Sequence, residues 1–118
     1  MNQLIASLTA AFALSLGFVR QKGIDVDLFM RILRESFLYP PQFDKKLERM
    51  TSKNHSNPSF PTKHLFRDID LFLSEGQSMN IETFALEGVR RLLTITLDKG
   101  YAEEDYSAIF NAIIHEEE

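Results

Sequence analysis

From Met1 to Val19 the chain carries no charged residue, and this stretch restricts the possible folds more than any other. Such a run crosses a membrane, heads a secretory signal, or forms a helix at the centre of a soluble domain. Asn2, Gln3, Ser7, Thr9 and Ser15 lie inside it and no basic region leads it. Its most apolar part falls short of the roughly 20 residues that span a bilayer. These features predict a buried helix of a soluble protein from Asn2 to about Gln21. Apolar side chains fall on every face, as in a central helix, and Ala6, Ser7, Ala10, Ala11 and Ala13 lie between them and let neighbours approach. Gly17 is predicted to sit at one such contact. Gly23 is predicted to end the helix from the position just beyond its cap.

Helical periodicity and its punctuation give the other elements. Asp25 is placed to cap a second helix in which Val26, Phe29, Met30 and Leu33 recur on one face, stopped by Tyr39-Pro40-Pro41. A third helix, Gln42 to Lys53, has a thin apolar stripe of Phe43, Leu47 and Met50 and is predicted to lie on the surface. Its Lys45, Lys46, Arg49 and Lys53 interleave with Asp44 and Glu48, a pattern read as a solvated face. Asn54 to Pro61 reads as an irregular loop. Thr62 is the expected N-cap of an amphipathic helix carrying Leu65, Phe66, Ile69, Phe72 and Leu73, broken at Gly76 to Asn80. A long helix from about Ile81 to Lys99 follows, ended by Gly100. A last helix starts near Glu103 to Asp105, with Asp105 as its cap, and runs into the acidic tail. The prediction is one all-α domain of about six helices, with no repeat or linker.

Most local signatures of chemistry are missing. At 118 residues the chain holds one compact domain, and its net charge of -4 argues against binding nucleic acid. Without cysteine there is no disulfide framework, thiolate metal site or cysteine nucleophile. His55, His64 and His115 lack the spacing of paired metal ligands; His64 and Asp68, four apart, read as a polar pair on a wet face, and no metal is expected. No Gly-rich phosphate loop and no nucleophile elbow occur. Asn54-His55-Ser56 fits a glycosylation sequon, a pattern common by chance. Two polar features stand where packing does not ask for them: Asn2 at the head of the apolar helix, and Arg67-Asp68 shortly after Phe60-Pro61.

Together these features resemble the C-terminal domain of the β-hydroxyacid dehydrogenases, the 3-hydroxyisobutyrate dehydrogenase-like family. In that family an interdomain helix carries a catalytic lysine, then an asparagine four residues later, then an apolar helix like Asn2-Gln3-Leu4-Ile5-Ala6. A phenylalanine precedes by eight residues the aspartate of a Lys-Asp pair, matched here by Phe60 and Arg67-Asp68, with arginine in place of the usual lysine. Gly100 followed by Asp105-Tyr106-Ser107-Ala108 resembles the family's G-x-x-x-x-D-x-S-A signature, taken as a packing and helix-start motif.

The resemblance implies a bundle like the C-terminal domain of 6-phosphogluconate dehydrogenase, residues 1–118 being one domain and the Rossmann domain lying outside this chain. The parent would be an NAD(P)-dependent oxidoreductase exchanging hydride with a small β-hydroxyacid or its semialdehyde. Asn2 would position substrate, Phe60 and Asp68 would line its site, and Arg67 would contact NAD or NADP. The catalytic lysine would lie before residue 1, leaving this chain alone without cofactor or turnover. A cytoplasmic homodimer with no membrane or nucleic-acid partner is expected. Two alternatives remain: a stand-alone helical dimerisation or interaction module, and an imine reductase-type relative that differs at the lysine position. Convergence of Asn2, Phe60, Arg67 and Asp68 on one concave surface separates the dehydrogenase from the module.

Overall fold

The structure, a computed structural model, describes residues 1–115. Among them are six α-helices: α1 (Asn2–Gln21), α2 (Val26–Glu35), α3 (Gln42–Ser52), α4 (Thr62–Ser78), α5 (Phe84–Asp98) and α6 (Ile109–Ile113), the last entered through a single 3-10 turn, Tyr106–Ala108. The expected run of the last helix into Glu116, Glu117 and Glu118 lies outside the described residues.

Helix α1 is the hub and packs against each of the other five. Its buried face is Ala6, Thr9, Ala10, Phe12, Ala13, Leu16, Gly17 and Val19. A Cβ added to Gly17 would lie 2.0 Å from the Ile114 side chain, so glycine is what lets α1 and the end of α6 touch there. Burial on every face does not hold, however. Leu4, Leu14 and Phe18 are each more than half exposed and form an open apolar stripe. The helix is long and apolar enough to cross a membrane by length and composition, and 44% of its most apolar window is buried inside the domain.

Three helix ends share one device. After α1 and α5, Gly23 and Gly100 take positive φ (70° and 95°) and the two amides that follow each cap return to carbonyls of the last turn. After α4 the same position belongs to Asn80 (φ 61°), not to a glycine. Gly76 does not break α4, which continues to Ser78, and α5 starts at Phe84 rather than Ile81. Asp25 caps α2 as expected, accepting from the Asp27 amide at 2.9 Å.

Thr62 is not the N-cap of α4. It is the helix's first residue, fully buried, and its hydroxyl donates 2.9 Å to the Glu104 carbonyl, while Pro61 holds the capping position. The largest fully buried apolar side chains of the core are Leu16, Met30, Met50, Leu65, Ile69, Leu93, Ile109 and Phe110. Stacked rings of Phe12 and Phe43, 4.5 Å apart, bring α3 onto α1. Helix α3 is therefore only partly a surface helix, and Lys46, read as solvated, is buried with it.

Candidate functional site

The first turn of α1 meets the second turn of α4, and there the Asn2 side-chain amide donates to the Asp68 carboxylate at 2.6 Å. Both residues are half-buried. With one N–H tied to a carboxylate, the amide's carbonyl oxygen and second N–H are left for a ligand, and the group is held in a single orientation. One turn before Asp68, His64 is also half-buried, and the Phe60 ring lies 6.1 Å from its imidazole, centroid to centroid. Phe60, His64, Asp68 and Asn2 thus form a continuous line along the start of α4. Arg67 stands beside Asp68, exposed, with no hydrogen bond or ion pair among the described residues.

Among the described residues no hydrogen bond joins His64 to Asp68; Asp68 accepts from Asn2, and the His64 ring lies near that of Phe60. No group of three possible metal ligands occurs among the described residues. The line of residues forms one half-exposed wall along the start of α4. A roomy apolar groove, about 570 Å³, lies elsewhere between α1, α5 and α6, lined by Ala11, Leu14, Gly88 and Leu92 among others.

Behind the wall is a polar cluster that sequence reasoning missed. The buried Asp105 carboxylate accepts from Lys46 Nζ (3.0 and 3.1 Å), from the Ser59 amide and hydroxyl (both 3.0 Å) and from the Ser107 amide (3.0 Å). Arg49 lies 3.9 Å away. Burial pushes the Asp105 carboxyl up, but the hydrogen bonds from Ser107 and Lys46 outweigh it and hold the group well below the ordinary carboxylate range. Burial also lowers the Lys46 ammonium, with Asp105 opposing. Tyr106 is pushed up to about 12 by burial and by the charge of Asp105. His55, buried beside this cluster, bonds the Ser107 hydroxyl through Nδ1 at 2.7 Å, its Nε2 has no hydrogen-bond partner among the described residues, and burial lowers its pKa. The helix-cap role expected of Asp105 is present in the Ser107 bond.

The model of the family described as the NAD-binding domain of NADP-dependent 3-hydroxyisobutyrate dehydrogenase matches residues 1–113. The chain belongs to this family. The domain is 23% identical over 113 residues to glyoxylate/succinic semialdehyde reductase 2, chloroplastic, of Arabidopsis thaliana, across 96% of this chain and 31% of that protein. It is 26% identical over 117 residues to glyoxylate/succinic semialdehyde reductase 1 of the same plant, across 96% of this chain and 39% of that protein. Among solved structures, 3-hydroxyisobutyrate dehydrogenase from Salmonella typhimurium superimposes with a TM-score of 0.80 at 18% identity, covering 92% of this chain and 38% of that one. The all-α dehydrogenase-type fold is thereby established, in a chain that spans 31% and 39% of these two relatives' length.

Proposed function

We propose that this domain forms the helical wall of the substrate cleft in an NAD(P)-dependent oxidoreductase acting on small β-hydroxyacids or their semialdehydes. The observation that carries the reading is the Asn2–Asp68 hydrogen bond, which joins polar side chains 66 residues apart on the leading turns of α1 and α4. Held by Asp68, the Asn2 amide offers a fixed donor and acceptor to a substrate's oxygens, which restricts its orientation before reaction. Phe60 adds a half-exposed apolar ring to the same wall. The exposed guanidinium of Arg67, without a partner among the described residues, is available to an anionic group of substrate or cofactor. When bound, the nicotinamide cofactor supplies or accepts the hydride. The residues here fit such a group only at its edge, since the chain has no Gly-rich phosphate cradle.

The complete reading frame containing this chain, expressed and assayed for NAD(P)H oxidation with glyoxylate and succinic semialdehyde, tests the proposal. Turnover that falls at least about a hundredfold in Asn2→Ala and in Asp68→Ala is expected, the range for losing a group that positions substrate. Turnover unaffected by both substitutions, or no nicotinamide-dependent turnover from a folded product, refutes it. We also propose that the domain pairs with a second copy of itself through the open stripe of α1. That face carries no charge between residues 1 and 19, so two copies meet without like-charge repulsion.

A further inference from the structure

We propose that Lys46 and Asp105 are positioning residues for the substrate wall: their buried ion pair holds the 55–61 loop against the 3-10 turn and so fixes Phe60 beside His64 and the Asn2–Asp68 pair. A helix cap needs only the Ser107 amide bond. Three other donors converge on the same carboxylate, and what they share is the loop: Ser59 donates twice, the Phe60 amide lies at 3.4 Å, and Lys46 reaches Asp105 and the Ser59 hydroxyl together, the latter at 2.9 Å. Backbone bonds run in parallel. The Asp105 amide donates to the His55 carbonyl at 2.8 Å, and the Tyr106 amide to the Phe60 carbonyl at 3.1 Å.

Apolar packing adds to these bonds at the two ends of the loop, where His55 is buried and the Phe60 ring packs against the core. Ser56, Asn57 and Ser59 are exposed, Phe60 is only half-buried, and Asn57 sits at positive φ (50°) with its carbonyl held by Arg49 at 2.8 Å. A loop whose exposed middle is held by polar bonds, several of them to one buried carboxylate, should loosen locally when that carboxylate loses its counter-charge, while the helices keep their apolar core. A buried ion pair is also a poor way to gain stability alone, since apolar residues of like size often serve equally well. Its geometric effect is specific: it sets where the Phe60 ring stands.

The inference rests on Phe60 belonging to the substrate wall, but its test reads ring position and needs no turnover, so either can fail without the other. In NMR spectra of this chain, Lys46→Met is expected to weaken the Phe60–His64 ring contacts, shift the His64 ring resonances, and cut exchange protection of the Tyr106 amide by about tenfold or more. Protection at Leu93 in α5 should stay unchanged, and Lys46→Arg should restore the Phe60–His64 contacts. The double variant Lys46→Met/Asp105→Asn, which leaves no buried unpaired charge, provides the same readout if the single variant unfolds. Intact Phe60–His64 contacts in either folded variant overturn the proposal, as does equal loss of protection at Tyr106 and Leu93 in both.

Discussion

Replacing Gly17 by alanine sets two effects of known sign against each other. Alanine in a helix interior is favoured over glycine by about 1 kcal/mol. The new Cβ would stand 2.0 Å from Ile114 Cδ1 and 2.8 Å from Cγ1, where carbon atoms rest at about 3.5–4.0 Å. The Ile114 side chain must leave, and forcing atoms into a packed contact costs about 1–3 kcal/mol. Ile114 follows the last turn of α6 and is half-buried, so it can swing outward and the cost falls toward the middle of that range. A net destabilisation of about 1 kcal/mol is expected. In an Ile114→Ala background both clashing atoms are gone, and the next neighbour, Phe110 Cε2 at 3.8 Å, is in ordinary contact. There the same Gly17→Ala change should stabilise by about 1 kcal/mol, giving a coupling of about 2 kcal/mol across the cycle. Urea unfolding followed by circular dichroism, with the slope held constant, resolves midpoint shifts of about 0.5 M in opposite directions. The same effect in both backgrounds, or stabilisation by Gly17→Ala alone, would show that α1 and α6 do not meet as described.

Acid should weaken the fold through His55 first. Burial lowers its folded pKa below 6.5, so as pH falls through that value the unfolded chain takes up a proton the folded one refuses, and stability drops by at most about 1.4 kcal/mol per pH unit. Unfolding free energies of the wild type should therefore begin to fall as pH drops through about 6.5, and His55→Gln should remove much of that slope; an unchanged slope rejects the assignment. Asp105 acts at lower pH: its folded pKa is depressed, so its contribution is full above the ordinary value of 3.8 and is lost as pH falls toward the folded one. For self-association, Leu14→Glu places a charge in the open stripe, and sedimentation should show a dimer of the wild type become a monomer with unchanged helicity. A wild-type monomer, or a variant that still dimerises, moves the interface elsewhere.

The helices were legible because their signals are local. Asp25, Gly23 and Gly100 act on atoms within a few residues, and each did what its type and position predict. Asn80 was not singled out, because asparagine in the left-handed region is less common than glycine and Gly76 stood nearby as a more obvious breaker. Thr62 misled for a related reason: a threonine before an amphipathic run has the chemistry of a cap, yet its hydroxyl bonds Glu104, 42 residues away. The open stripe of α1 was hidden for a different reason. Composition reports that every face is apolar but not how many faces five neighbours can cover.

The candidate site divides along the same line. Asn2 and Asp68 stand out in the sequence as polar residues where packing does not ask for them, and the family's spacing gives them a role, but no local rule joins side chains 66 positions apart. Lys46 shows the limit most sharply. Its flanking charges, Asp44, Lys45 and Glu48, describe a solvated helix, and that description fits its neighbours while failing for Lys46, whose partner is 59 residues on. The spacing of Asp105 and Ser107 does acquire a physical reason from the structure. Ser107 offers its amide to Asp105 and its hydroxyl to His55, so one residue ties the anchor to the start of the loop that the anchor holds. A shift of either residue by one position would break one of these bonds and leave the link to the wall that carries Phe60 to the parallel backbone bonds.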